Sequence, residues 1–431
     1  MPPVKLILIG AGSQFTFHIV ADLIRHADLA GSTVALVDTD VHALDLSAQI
    51  VSQMVSKTGA DLRVVRSADR RDLLPGSDFV FNTISVGEPW ARQRDVEIGE
   101  REGIYQPTSQ TVGPAGFVRG LRVIPHAVAI ARDIADLCPN ATVINLANPL
   151  AAVCRAMIRE ADLAVVGLCE QWRVTLRLFA DVLDVRPDEL DCLSVGANHL
   201  TWALALHHKG RDRLPEFLDR LHAPTAGPLR DTVPVSRDIY AAFGLWPTGS
   251  EDHIAEFFPY FLTPETHGGA DYGLTVRHTT QEQVEQRRAE REALADGRKS
   301  LDGLLGPSGE SAVDVLRALL CDQDAGIHMV NISNAGLIDN LPDTAIVELP
   351  AYVSPAGARG LKVGPMPQPI AQILANRAIQ QELLIDAALS GNPQTALQGL
   401  VLDAQIVSLG AASRILEASL EANAQWLPNF H

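Results

Sequence analysis

Along the N-terminal part of the chain, short apolar runs alternate with stretches of helical spacing. Val4–Ile9, Ser32–Val37, Phe79–Ile84 and Thr142–Leu146 are apolar and bounded by turn residues. Strands buried on both faces of a parallel sheet read this way, whereas half-exposed strands alternate. A further run, Leu163–Leu168, extends the sheet and ends at Cys169. The pattern predicts a doubly wound, Rossmann-like α/β domain over residues 1–195.

Past that point the periodicity is mixed. Val174–Asp184 has helical spacing, Leu193–Val195 opens a strand, and the Pro- and charge-rich Arg211–Arg237 reads as an irregular excursion. Gln281–Arg298 is a highly charged helix, expected on the surface with a solvated face. From Ser311 onward come an amphipathic helix, strands around His328–Asn331 and Thr344–Val347, and helices at Gln368–Ser390 and Asn392–Ser419. Because no clean linker interrupts the chain, residues 196–431 are expected to form an α+β domain packed tightly on the first.

Composition narrows the function. The chain has 431 residues, 47% of them apolar, enough for two domains with a sizeable core. Its 35 basic and 52 acidic residues give a formal charge of −17, which argues against nucleic acid or an anionic membrane as a partner. Five irregularly spaced cysteines do not suggest a disulfide framework. The first apolar run is too short to span a membrane and carries no cleavage signal, so a cytoplasmic protein is expected. Apolar C-terminal helices point to a homo-oligomer, a dimer or a tetramer.

Gly10-Ala11-Gly12-Ser13 follows the first strand and opens a helix at Gln14 and Phe15. Small residues let the backbone approach a pyrophosphate, and a helix N-terminus supplies amides and a positive dipole end. The third glycine of the full fingerprint is missing, but Asp38 ends the next strand at the spacing of a ribose-binding acid. A carboxylate there repels a 2′-phosphate, so NAD is favoured over NADP. Asn82 and Asn145 end two further strands, where cofactor and substrate meet in open sheets. Asn148-Pro149 follows, a pair that is also an ordinary turn former.

Cys169 and His199 each follow a strand-like run. A thiolate and an imidazole converging at a sheet edge can hold a divalent metal with positions open to substrate, although each alone is also an ordinary core residue. Between Phe243 and Tyr260 a Gly/Pro-broken stretch gathers aromatics, three acids and His253. Such a stretch suits a sugar-binding wall with an imidazole acid or base, or a loop packed by its own aromatics.

Taken together, these motifs resemble the NAD-dependent glycosidases of glycoside hydrolase family 4. The similarity runs through Gly10-Ala11-Gly12-Ser13, Arg94-Asp95, Gly113-Pro114-Ala115-Gly116-Phe117, Leu121-Arg122, Asn148-Pro149 and Gly167-Leu168-Cys169. It continues through Gly196-Ala197-Asn198-His199, His253-Ile254-Ala255-Glu256, Asn331-Ile332-Ser333-Asn334, Asn340-Leu341-Pro342 and Val347-Glu348-Leu349-Pro350. The resemblance implies a malate-dehydrogenase-like fold, NAD recycled in each turnover, and a divalent metal, usually manganese, on Cys169 and His199. It also implies a mechanism: hydride leaves sugar C3, the ketone acidifies the C2 proton, a base removes it, the aglycone departs from C1, water adds and the hydride returns. His253, or failing it Tyr240, falls near the position of the base, Glu170 near that of the acid, and Asn148 near the substrate hydroxyls.

Cys169-Glu170-Gln171-Trp172 departs from the four-residue signatures of the phospho-glucosidases, α-galactosidases and α-glucuronidases. It is similar instead to the related sulfoquinovosidases of family 188, whose substrate carries a C6 sulfonate. Arg94, Arg122, Arg277, Trp172, Trp246 and His278 are then the expected sulfonate and sugar contacts. An α-galacturonidase, an α-glucuronidase or a 6-phospho-glycosidase is the alternative. Two further classes share the cofactor motif: a hydroxy-acid dehydrogenase that releases NADH, and a non-catalytic NAD-binding protein.

Overall fold

The chain builds one continuous sheet, in which all thirteen strands found among the described residues take part. The structure is a computed structural model that describes residues 2–223 and 231–430. Its N-terminal half contributes six parallel strands: β1 (Lys5–Ile9), β2 (Ser32–Val37), β3 (Leu62–Ser67), β4 (Phe79–Asn82), β5 (Thr142–Asn145) and β6 (Val165–Gly167). Their spatial order is β3-β2-β1-β4-β5-β6, that of a doubly wound dinucleotide-binding domain. Every one of these pairings is parallel. Residues Leu6, Ile7 and Leu8 of β1 are fully buried, as the apolar run requires. β3 escapes the apolar pattern because it is the edge strand and half-exposed along its length.

The C-terminal half extends the same sheet with antiparallel strands: β7 (Leu190–Ala197), β8 (Leu200–His208), β9 (Arg211–Asp212), β10 (Trp246–Thr248), β11 (Gly326–Ser333), β12 (Ile346–Ser354) and β13 (Gly357–Gly360). β11 and β12 insert between β6 and β7, pairing Asn331 with Gly167 and Glu348 with Gly196. That insertion brings the motif Val347-Glu348-Leu349-Pro350 directly under the turn between β7 and β8.

Several elements differ from expectation. The stretch expected to be irregular forms helices Leu214–His222 and Pro234–Phe243 in its described parts, while residues 224–230 lie outside the described residues. Asn392–Ser419 is two helices, Pro393–Val401 and Leu409–Ala422. A 25-residue helix, Gly113–Leu137, runs behind the sheet and packs on Leu150–Ala161 and Gln368–Ser390. Its first amide donates to Asp403 Oδ2 at 2.9 Å, and Arg377 pairs with that carboxylate at 2.7 Å. Burial against this ion pair fixes the loop that leads into the helix.

Arg122 on the long helix is a correction to the sequence reading. Its guanidinium is fully buried, pairs with Asp95 at 2.7 Å and donates to Asn423 Oδ1 at 3.3 Å, so it faces no substrate. Burial pushes Asp95 up to about 6 against the pull of Arg122. Removing one partner from such a pair strands a charge and costs about 3–5 kcal/mol, whereas an apolar replacement of both is close to neutral. Arg122→Met is therefore expected to lose about that much stability in urea unfolding, and Arg122→Met/Asp95→Leu to regain most of it. Equal losses in the single and double variants would contradict the ion-pair account.

Candidate active site

At the carboxyl ends of β1 and β4, where the strand order reverses, the chain opens a cleft of about 1470 Å³. The amides of Gly10 and Ala11 both donate to the Val37 carbonyl at 2.9 Å, which draws the glycine turn tightly over the sheet. Gly10 has φ +89°, and a Cβ there would stand 2.8 Å from the Thr83 carbonyl carbon. Gly12 donates its amide to Asp38 Oδ2 at 2.7 Å, and a Cβ on it would stand 2.9 Å from that oxygen. Only glycine lets the turn and the acid close up in this way. Ser13 and Gln14 line the cleft, and Ser13 Oγ accepts the Phe15 amide at 3.2 Å. A bare backbone cradle at a helix N-terminus, with a carboxylate at the end of the neighbouring strand, fits a dinucleotide.

Two expectations change here. Asn82 and Asn145 are fully buried and bond each other, Nδ2 to Oδ1 at 2.8 Å, bracing the strand ends from inside. Helix Gln281–Ala295 is not a purely solvated surface, because Val284, Arg287, Arg288 and Arg291 form the wall of the cleft opposite the glycine turn.

A second group of side chains lies along the seam between the halves. His199 ends the turn from β7 into β8 with φ +71°, a left-handed conformation that strains a residue with a Cβ. Its Nδ1 lies 2.9 Å from Thr111 Oγ1, and the same hydroxyl lies 3.4 Å from Asn148 Oδ1. Asn148 Oδ1 also accepts the Leu150 amide at 3.2 Å. With the Thr111 proton directed to Asn148, Nδ1 of His199 is the donor and Nε2 carries the lone pair, the tautomer a metal ligand needs. Burial first, and then His253, depress the pKa of His199 far below the imidazole range, so the ring is neutral. The His253 ring meets it edge to face with centroids 4.3 Å apart. On its other side His253 Nδ1 lies 2.6 Å from Ser250 Oγ and 3.0 Å from Asp252 Oδ1. Burial opposes the charge on Asp252, but the bond to His253 holds its carboxyl well below the usual range.

Three carboxylates that had no assigned role position this group. Glu348 is buried and accepts from Asn198 Nδ2 at 2.9 Å, with further bonds from Asn331 and the His199 amide, so it pins the strained turn from below. Burial pushes it up to about 7. Glu256 accepts from the Thr108 amide at 2.7 Å, Thr108 Oγ1 at 2.6 Å and the Ser109 amide at 2.9 Å. It thereby ties the loop bearing Thr111 to the helix bearing His253. Glu251 caps helix Pro234–Phe243 through the Val235 amide at 2.7 Å. Glu348 and Glu256 stood in quoted motifs without a function, while nothing local in the sequence marks Thr111.

Cys169 lies in the same neighbourhood, as its thiol is pushed up by burial and by Glu348 while Asn198 bonds it. Among the described residues no three His, Cys, Asp or Glu side chains converge as a metal cage. Cys169 and His199 therefore offer a two-residue, soft-and-imidazole donor set, and the lone pair on Nε2 fits a metal.

Other expected contacts are placed differently. Glu170 accepts from the Ser311 amide at 2.8 Å, and its second oxygen pairs with Arg173. Arg173 in turn stacks on Trp172, 5.4 Å from the ring centroid. Trp246 is 1% exposed and packs on Phe217, so it belongs to the core rather than a sugar wall. Tyr240 packs on that same indole at 5.9 Å. Arg94 lies over Trp426, on the rim of the dinucleotide cleft, and Arg277 is exposed with its carbonyl bonded by Arg92 at 3.2 Å. A partly buried arginine that the sequence reading passed over, Arg119, donates to the Asn148 carbonyl at 3.2 Å and pairs with Glu88 at 3.1 Å.

Comparison with known proteins agrees with this fold. A sequence model described as family 4 glycosyl hydrolase matches residues 5–185, and the model of that family's C-terminal domain matches residues 194–406. The chain is 26% identical over 436 residues to the alpha-galactosidase of Bacillus subtilis (strain 168), covering 99% of each. It is 27% identical over 456 residues to the alpha-galacturonidase of Lachnoclostridium phytofermentans, covering 99% of this chain and 97% of the relative. Among solved structures, a 6-phospho-alpha-glucosidase from gut microorganisms in complex with NAD and Mn2+ superposes with a TM-score of 0.83 at 23% identity, each chain covered in full. The malate dehydrogenase of Cryptosporidium parvum shares the fold alone, at a TM-score of 0.52 and 16% identity over 90% of this chain and 99% of that one.

The buried carboxyls predict the pH dependence of stability. Burial pushes both Glu251 and Glu310 up to about 7, above the ordinary glutamate value of 4.5. Between those values the folded state holds protons that the unfolded chain has released, so stability is full at low pH and is lost as pH rises through about 7. Asp252 works in the opposite sense, but its contribution is complete above the ordinary aspartate range. Burial also lowers His126, His199 and His328, whose contribution rises with pH but is complete above the ordinary imidazole value of 6.5. The melting temperature of the metal-free protein is therefore expected to fall between about pH 6.5 and pH 8 in a buffer series; a rise across that window would contradict the assignment.

Proposed function

The chain belongs to family 4 of the glycosyl hydrolases, and from that premise we propose that it cleaves glycosides of an anionic sugar with NAD as a resident redox partner. The observation that carries the reading is the His199–Thr111–Asn148 relay beside the carboxyl ends of β4 and β5, with His253 in edge contact with its metal-binding member. When bound, NAD supplies the hydride acceptor and donor for sugar C3, which acidifies the neighbouring C2 proton. A divalent metal, manganese by analogy with the NAD- and Mn2+-bound relative, would be held by Cys169 and His199 and would polarise the sugar oxygens.

The protein's own groups divide the remaining work. His253 takes the C2 proton, presenting the ring nitrogen that Asp252 and Ser250 leave free, and Tyr240 is the second choice. Asn148 has its oxygen engaged by Leu150 and Thr111, which leaves the amide Nδ2 to donate to a sugar hydroxyl. Glu170 is the proton donor to the departing aglycone, provided that Arg173 swings off its second oxygen. Gly10, Gly12, Ser13, Gln14 and Asp38 cradle the dinucleotide. The two halves, residues 1–195 and 196–431, share the work: the first supplies the cofactor cradle together with Asn148, Cys169 and Glu170, and the second supplies His199 and His253.

For the sugar we propose an anionic group on C6, with sulfoquinovosides first and galacturonides second. Support comes from a relative named for a galacturonide, another named for a 6-phospho sugar, and Trp172 with Arg173 stacked beside Cys169. Arg277, which is exposed, is a further contact for the anion, and Arg94 a more remote one. Arg122 and Trp246 are consumed by the core. Self-association is supported by Val407 and Leu409, 84% and 68% exposed, before and in the last long helix. A cytoplasmic location is supported by five cysteines without a disulfide. Among the described residues no helix is long and apolar enough to cross a membrane.

The function is tested with nitrophenyl glycosides bearing neutral, carboxylate, phosphate or sulfonate groups at C6, assayed with NAD and manganese and again after the dinucleotide is stripped. Activity on an anionic glycoside that needs both additions is expected; activity indifferent to stripping would sink the proposal. His253→Ala is expected to lower kcat about 10²–10⁴-fold at unchanged NAD affinity. Glu170→Gln should abolish turnover of poor alkyl leaving groups while sparing nitrophenol, and equal loss on both would remove Glu170 from the acid's place.

A further inference from the structure

The dinucleotide cleft has a wall that its own domain does not provide. Helix Gln281–Ala295 comes from the C-terminal half and faces the glycine turn with Arg287, Arg288 and Arg291. It is fastened across the cleft at several points. Gln53 Nε2 donates to the Ala295 carbonyl, Lys57 Nζ pairs with Asp302 at 2.6 Å, and the Ser308 amide donates to Asp22 Oδ1 at 3.0 Å. Since Asp22, Gln53 and Lys57 all belong to the N-terminal half, the segment from 281 to 308 forms a strap.

The charges on the strap are not all spent within it. Arg288 pairs with Glu292 at 3.1 Å, and Lys299 pairs with Glu290. Arg287 and Arg291 have no carboxylate at ion-pair distance among the described residues. Arg291 instead reaches into the glycine turn, donates to the Gly12 carbonyl and sits 5.6 Å from the centroid of the Phe17 ring. One carbonyl satisfies one of the five donors of a guanidinium. The others remain beside the N-terminus of helix Phe15–Leu23, in a protein whose net charge is −17. Arg291 is attracted by Asp38 and Asp40 in the same cleft yet closes no ion pair with either, so its remaining donors, with those of Arg287, suit an anion that lies between them and the helix N-terminus.

We infer that Arg291, seconded by Arg287, clamps the diphosphate of the dinucleotide from the C-terminal half, so that the strap retains NAD from one turnover to the next. The inference rests on the reading of the cleft as an NAD site. It accounts for the fastening physically: a cofactor restored in every cycle has no need to leave, and an anion held from two elements dissociates only when both contacts open.

Isothermal titration with NAD and ADP-ribose, and with adenosine by competition against ADP-ribose, tests the clamp in the wild type, Arg291→Ala, Arg291→Lys and Arg287→Ala. Arg291→Ala is expected to weaken NAD and ADP-ribose by about tenfold to a hundredfold and to leave adenosine unchanged. Arg291→Lys should recover part of the loss, and Arg287→Ala, altering an exposed side chain, should weaken the diphosphates less and with the same selectivity. The loss should shrink as salt rises. Unchanged diphosphate affinity in both alanine variants, or an equal loss for adenosine, overturns the clamp while leaving the NAD reading intact. A wild type that binds neither NAD nor ADP-ribose overturns both.

Discussion

The hydroxyl of Thr111 is the joint on which the site depends. It lies within reach of His199 Nδ1 on one side and of Asn148 Oδ1 on the other, so it links the turn of the antiparallel half to the strand ends of the parallel half. Its own position is secured from two directions. Glu256 holds Thr108 and Ser109 just before it, and Asp403, neutralised by Arg377, holds the Gly113 amide just after it. A residue with no chemistry of its own thereby sets which nitrogen of His199 faces the site. The buried carboxylates around it hold geometry, in keeping with the rule that ligands need a supporting layer to keep their orientation.

The sheet explains why this joint exists. In a doubly wound sheet ligands collect at the carboxyl ends of the strands, but a lone Rossmann domain offers little to grip a sugar. Here β11 and β12 insert beside β6, so the second half of the chain presents Glu348 and the β7–β8 turn to the same edge. The left-handed His199 stays in its strained conformation because Glu348 bonds both that residue's amide and the side chain of Asn198. Strain of this kind persists only where the surroundings over-determine it.

Much of the parallel half was legible in the chain, since strands buried on both faces write themselves as unbroken apolar runs and the glycine turn follows the first of them. The edge strand β3 was not, because half its side chains face solvent. Helix Gln368–Ser390 stands where its spacing placed it, yet the order of the antiparallel strands, being a matter of long-range pairing, left no local trace. The same limit governs the site. Cys169, His199, Asn148 and His253 were visible as residue types in suggestive places, whereas Thr111 matters only through what the fold sets beside it. Arg122 and Trp246 failed as ligand contacts for a related reason: residue type cannot tell an arginine that meets an anion from one that neutralises a buried aspartate. The charged helix at 281–295 was read by composition as solvated, but one of its faces closes the cofactor cleft.

On the proposed mechanism a base takes the proton from sugar C2 while C3 is transiently oxidised. Turnover of the preferred glycoside in heavy water, with the product read by proton and deuterium NMR, tests this most directly. Deuterium at C2 of the released sugar, with no accumulation of reduced nicotinamide, is the predicted result. A product that keeps its original hydrogen at C2 would contradict the account, whatever cofactor the reaction required.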